Sequence, residues 1–300
     1  WMWEYPATRR LFMAHKRTTG EVKIGLALSG GGALGAAHIG VLEEIDRHTL
    51  RIERICGTSS GAIIGLLYAA GGTAAIHTFL DDLRSRGVIG RLHTILTKTP
   101  DRIFAEITDV LHAHVPVKSF SELAIPFSCV ATDLISGEMT VLDDGGPVAA
   151  VMASAAYPGV FPIQRLDGHS FIDGGVTRNF PADIVKESGV SFVIGSSLYC
   201  LSKLRPGKQA RLSRLQAMLR AFEIQERELS IQQMEHCDFC FSPPVHVFRW
   251  YEFFQVDAIV DLGRAYARSV SDGLLQALQK HQAPKPSFLR SFLPAGLLEE

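Results

Sequence analysis

Apolar runs and glycine-rich breaks alternate at short range along the first part of the chain. Residues 22–28 form a short apolar run that ends in glycines, which predicts a buried strand. From residue 35 to 45 the apolar positions Ala36, Ile39, Leu42 and Ile45 recur at helical spacing. Residues 52–56 predict a second strand, and residues 62–70 a very apolar helix closed by Gly71 and Gly72. Strand, helix, strand and helix in immediate succession is the pattern of a βαβ unit, and so of an α/β fold with a parallel sheet.

Further strands are predicted at 127–132, 139–142, 170–172 and 192–196, with a helix over 147–156. Residues 86–120 read as helix plus loop, a segment that could cover a site. The last third changes character. Residues 209–236 contain no glycine or proline and carry Leu212, Leu215, Leu219 and Phe222 near helical spacing. Another helix is predicted over 256–279, followed after Ala283 by a loosely held tail. The expected organisation is an N-terminal segment (1–21), a core (22–196) and a mainly helical C-terminal portion packed on it (197–300).

Composition narrows the function classes. Apolar residues make up 47% of the chain, enough for a sizeable core. Charged residues almost cancel, to a formal −1, which argues against a nucleic-acid partner and gives no global attraction to anionic membranes. The five cysteines, Cys56, Cys129, Cys200, Cys237 and Cys240, read as free thiols of a reducing compartment. No run of 18 apolar residues predicts a transmembrane helix, and "WMWEYPATRRLF" lacks the apolar region of a secretory signal. A cytoplasmic protein is expected.

Two glycine-rich turns carry the candidate chemistry. The first is "SGGGALG", residues 29–35, where Gly30, Gly32 and Gly35 fit G-x-G-x-x-G between a strand and a helix. A dinucleotide site also needs a carboxylate ending the second strand. Here that strand ends in Cys56, Gly57 and Thr58, so the nucleotide reading fails. A phosphate loop fails as well, because no Lys-Ser or Lys-Thr pair follows the glycines.

The second turn, "GTSSG" at residues 57–61, places Ser59 at the centre of G-x-S-x-G, between a strand and a helix. Glycines on both sides suit so tight a turn, and the helix beginning there turns its positive end to any negative charge at the serine. With the two strands adjacent, both turns emerge at the carboxyl edge of the sheet. The amides of Gly30, Gly31, Gly32 and Ala33 are then candidate donors to an oxyanion formed at Ser59. A nucleophilic serine needs a base, usually histidine. Of eleven histidines, His38 falls inside a predicted helix and His77 and His93 in helical or loop segments, and none stands in a glycine-flanked turn after a strand. Asp173 does, in "SFIDGGVTRNFP", although Asp-Gly is also a common turn between strands.

"SGGGALG", "GTSSG" and "DGG", in this order and at these separations, resemble the patatin-like phospholipases, particularly their bacterial branch. "ASAAYPGVFP" (153–162) and "GGVTRNFPADI" (174–184) carry the same likeness, which covers residues 22–196 with a weaker echo after residue 256. The resemblance implies a three-layer α/β/α fold around a mainly parallel sheet. It implies a serine lipid acyl hydrolase with a Ser–Asp dyad: Ser59 as nucleophile, Asp173 as general base, and Gly30, Gly31, Gly32 and Ala33 as oxyanion donors. It implies no metal and no other cofactor. The substrate would be a phospholipid, a lysophospholipid or a simpler acyl ester. One position departs from the family pattern, Leu34, where an arginine or lysine is usual. A non-catalytic lipid-binding or scaffold protein with the same fold, and an acyltransferase, are the alternatives.

Two other features bear on partners. His236 with Cys237 and Cys240 suggests zinc, yet a structural site takes four ligands and only His246 is near. Residues 203–220 hold Lys203, Arg205, Lys208, Arg211, Arg214 and Arg220 and no acid. With the leucines of the same stretch they form a basic amphipathic helix over 203–222, which either rests on an anionic bilayer or packs on the core.

Overall fold

The computed structural model describes residues 22–92, 100–199 and 212–283. The expected N-terminal segment, His93, Cys200, most of the basic run before residue 212 and the tail after Ala283 lie outside the described residues.

In chain order the elements are β1 (Ile24–Leu28), α1 (Ala37–Arg47), β2 (Ile52–Thr58), α2 (Ser60–Ser85), α3 (Val88–Leu92) and α4 (Pro100–His114). There follow β3 (Phe127–Asp133), β4 (Met139–Leu142), α5 (Pro147–Ser154), β5 (Gln164–Leu166), β6 (His169–Asp173), α6 (Gly175–Arg178) and α7 (Ala182–Glu187). The last are β7 (Phe192–Ser196), α8 (Arg214–Gln233), β8 (Phe239–Phe241) and α9 (Val256–Gln282).

One sheet holds the strands in the order β5-β6-β3-β2-β1-β7-β8, with β4 also paired to β3. The stretch β3-β2-β1-β7-β8 is parallel throughout, and β4, β5 and β6 add antiparallel pairs at one side. Helices bury both faces. Leu26 and Leu28 point into the larger core, which also holds Ile39 and Leu42 of α1, Leu66 of α2 and Ile259 of α9. Ala27, Cys56 and Val193 point the other way, onto Phe180, Ala182 and Val185. Burial on two faces explains why the central strands read as unbroken apolar runs rather than as alternation. The result is a three-layer α/β/α fold.

Register decides what meets at the sheet's carboxyl edge. β2 pairs with β3 up to Thr58 opposite Val130, and β6 pairs with β3 from Asp173 opposite Ala131 onward. β4 overlaps both pairings from the other side of β3. A strand has two edges, so β2 and β6 must share one lane, running toward each other end to end. Ser59 and Asp173 are the residues at which the two strands meet.

Three sequence expectations are modified. The helix expected to close at Gly71–Gly72 is instead kinked there and runs on to Ser85, with Gly72 at φ 68°. By length and hydropathy α2 alone, among the described residues, would suffice to cross a bilayer, but half of that window is buried inside the protein. The C-terminal portion, expected to be mainly helical, carries α8 and α9 and adds one short strand, β8, which extends the sheet beside β7.

Candidate active site

Ser59 occupies the single position between β2 and α2, with φ 54° and ψ −121°. A non-glycine residue in this region is strained, and such strain gathers where a side chain must be thrust out of a turn. The turn passes hard against the end of β1. A Cβ on Gly61 would stand 2.5 Å from the carbonyl oxygens of both Leu28 and Ser29, so only glycine fits. The backbone of Ser59 is pinned from a second side, its N–H donating to Ser154 Oγ at 2.9 Å. That hydroxyl in turn donates to Val130 O at 2.6 Å.

Asp173 ends β6 and is held by its own backbone. Its N–H donates to Ala156 O at 3.0 Å, and its carbonyl accepts from Thr132 Oγ1 at 3.0 Å. The side chain is 1% exposed. Oδ2 accepts the Ser59 hydroxyl at 2.6 Å, and Oδ1 accepts the Gly175 N–H at 2.7 Å. Burial raises this carboxyl to about 7, against the two hydrogen bonds that favour its charge. A carboxylate so placed is a far better base near neutral pH than one in water.

The glycine loop divides. Gly30 donates its N–H to Asn179 O at 3.0 Å, and Ala33 donates to Trp250 O at 2.7 Å. These two amides, expected as oxyanion donors, are engaged within the protein. Gly31 and Gly32 border the cavity beside Ser59. The Leu34 side chain turns inward and joins the larger core at 3% exposure, so this position faces away from the solvent where a cation would be hydrated.

The cavity above Ser59 and its open mouth together span about 650 Å³. Its wall is mainly apolar and aromatic, including Ile63, Tyr157, Phe161, Trp250, Leu92 of α3 and Ile107 of α4. Acyl chains suit such a lining. Among the described residues Glu226 of α8 is the one carboxyl in this lining.

No histidine among the described residues lines this cavity. His38 is fully buried, with Nε2 2.9 Å from Ser29 O and Nδ1 2.8 Å from Ser196 Oγ. A carbonyl only accepts, so Nε2 carries the proton and Nδ1 accepts from the serine. Burial lowers its pKa to about 4, leaving a neutral tether between the ends of β1 and β7. His77 meets Glu43 at 2.9 Å and His169 meets Asp133 at 2.6 Å.

Cys56, Cys129, Cys237 and Cys240 are free thiols, and burial pushes Cys56 up to about 12. On α8, Leu219 is buried, while Leu215 and Met218 are exposed, as is Leu212 just before the helix. The apolar stripe expected there is thus only partly packed. Ser154, Asn179 and Glu226 belong to the site without having been singled out in the sequence. Ser154 stood inside a motif but had no role, and nothing in the local pattern distinguishes Glu226 from a solvated acid on a helix.

The sequence pattern of the patatin-like phospholipase family matches residues 26–186. The chain is 28% identical over 284 residues to patatin-like phospholipase domain-containing protein 6 of Homo sapiens, covering 83% of this chain and 20% of that protein. It is 31% identical over 182 residues to an uncharacterized NTE family protein of Mycobacterium tuberculosis, covering 61% and 51%. The crystal structure of VipD from Legionella pneumophila aligns over 87% of this chain and 67% of that one, at 14% identity and a TM-score of 0.48. The chain spans about a fifth of the length of the first curated relatives it matches.

Proposed function

The chain belongs to the patatin-like phospholipase family, and from that premise we propose that it is a serine lipid acyl hydrolase working through Ser59 and Asp173. The observation that carries this reading is the 2.6 Å hydrogen bond from the Ser59 hydroxyl to Asp173 Oδ2, at the floor of an apolar cavity.

Ser59 Oγ attacks the ester carbonyl carbon while its proton passes to Asp173 Oδ2. The carbonyl electron pair moves onto oxygen, which the Gly31 and Gly32 amides and the N-terminus of α2 receive. A donor of this kind typically lowers the barrier by about 3–4 kcal/mol. Collapse expels the alcohol, which takes the proton back from Asp173, and leaves an acyl group on Ser59. Water then gives its proton to Asp173 and attacks the acyl carbon. A second collapse frees the fatty acid, and Ser59 recovers its proton. The apolar wall points to a long acyl chain, with a phospholipid, a lysophospholipid or a simpler ester as the substrate class.

A fluorophosphonate probe tests the proposal. Wild-type protein is expected to be labelled at Ser59, and Ser59→Ala to lose both labelling and hydrolysis of vesicle phospholipid and lysophospholipid while keeping its melting curve. A wild-type protein that stays unlabelled and releases no fatty acid would instead mark a lipid-binding protein without catalysis.

A further inference from the structure

Beside the dyad, at the Asp173 oxygen that does not bond Ser59, three oxygens converge where Gly175 has no side chain. An atom at its Cβ position would stand 2.9 Å from Glu226 Oε1, 3.0 Å from Asp173 Oδ1 and 3.1 Å from Asn179 Oδ1. The three oxygens therefore lie within about 6 Å of one another, and all three residues are buried.

The orientation of Asn179 follows from its neighbour. Ser230 Oγ gives its single proton to Glu226 O at 2.7 Å, so toward Asn179 it can only accept, and it does so from Nδ2 at 2.9 Å. That leaves Asn179 Oδ1 aimed at the cluster, buried and without a hydrogen-bond partner. Asp173 Oδ1 is an acceptor as well, already engaged with the Gly175 N–H. Three acceptors facing one another repel unless one of them bears a proton. An amide oxygen does not, and Asp173 must be ionised to act as a base. Glu226 is the member with room for a proton.

We propose that Glu226 is the proton-holding member of this site, a neutral carboxylic acid that offsets the acceptor cluster around Gly175 and leaves Asp173 as its one negative charge. Glu226 is a positioning residue acting through Asp173; it neither gives nor takes a proton during turnover. The inference rests on the Ser59–Asp173 reading.

The groups facing Glu226 agree with this assignment. Asp173 on β6 faces it, as do the hydroxyls of Tyr199, which follows β7, and of Tyr157, which precedes β5. Glu223, one turn earlier on α8, has its charge met by Arg220. Arg178 of the adjacent α6 reaches Asp183 at 3.5 Å. Burial, the charge of Asp173 and then that of Glu223 push Glu226 well above the usual carboxylate range, against a hydrogen bond from Tyr199.

The test compares the full chain with its Glu226→Gln and Glu226→Ala variants, using a soluble nitrophenyl ester and following kcat/KM against pH, with fluorophosphonate labelling of Ser59 in parallel. Glutamine copies the neutral acid and cannot ionise. It is expected to retain more of kcat/KM at pH 7 than alanine does and to lack the alkaline decline of the wild type. Alanine leaves Asn179 Oδ1 without a donor and is expected to lose more than tenfold, with labelling slowed in proportion. An alkaline decline of equal size in wild type and Glu226→Gln, or equal losses in the two variants, would overturn the proposal.

If the variants do not fold, infrared spectroscopy of the wild type decides. At pH 9 Asp173 is ionised, so a surviving protonated-carboxyl band supports the assignment and its absence refutes it. Failure of wild-type protein to label at Ser59 would count against the dyad reading instead, and the infrared band still tests Glu226 in that case.

Discussion

Asparagine at position 173 keeps the shape of the side chain and removes its charge, with a consequence for stability whose sign depends on pH. Burial lifts the Asp173 carboxyl from 3.8 to about 7. Well below pH 3.8 the group is protonated whether the chain is folded or not, and it costs nothing. As the pH rises the unfolded chain ionises first, so stability drains away until the pH passes about 7. At 1.36 kcal/mol for each pH step between the two values, the native site at pH 8 carries a penalty of about 4 kcal/mol.

Asp173→Asn removes that penalty. Its Oδ1 can still accept the Gly175 N–H, and its Nδ2 can donate to Ser59 Oγ. The two hydrogen bonds that favour the charge are already included in that shift. The variant is therefore expected to be about 4 kcal/mol more stable than wild type at pH 8, to gain less than about 1 kcal/mol at pH 4, and to be inactive at both. Urea unfolding across this range, with ester hydrolysis measured on the same samples, provides the comparison. A variant less stable than wild type at pH 8 would mean that the carboxylate is not held against its own burial, and the account of its basicity would go with it.

Two other changes probe the scaffold. Ser154→Ala leaves the Ser59 N–H and Val130 O without their shared partner; it is expected to cost about 2–4 kcal/mol in stability and to lower kcat more than it raises KM. Calorimetry and steady-state kinetics check this, and a change in KM alone would refute the positioning role. His38, with its pKa lowered to about 4 against 6.5 in the unfolded chain, contributes stability that is present above pH 6.5 and lost as the pH falls to about 4, about 3 kcal/mol in all. Unfolding of His38→Gln at pH 7 and pH 4.5 should show a smaller acid loss than wild type, and an equal loss would refute it.

Much of the fold was legible because its central strands are covered on both sides. Double burial makes 22–28, 52–56 and 192–196 into dense apolar runs that glycine and polar breaks delimit cleanly. The serine turn was legible for a related reason: a residue at φ 54° flanked by tightly packed backbone leaves glycine as the one neighbour that fits. The kink at Gly72 and the short strand β8 were not. A glycine pair reads alike as an end or as a bend, and β8 is a three-residue strand whose existence depends on β7 lying beside it.

Local chemistry, written in the order of the residues, determined the two glycine turns, the serine in the second of them and the aspartate at a strand's end. Only the folded chain decided which of the loop's amides are spent on Asn179 and Trp250, and that β2 and β6 arrive end to end along β3. The same holds for Glu226, which lies more than fifty residues beyond Asp173 and reaches the site from α8. Hydrogen-bond partners and burial depend on what lies across space, and the spacing of residues along one strand or helix does not contain that information.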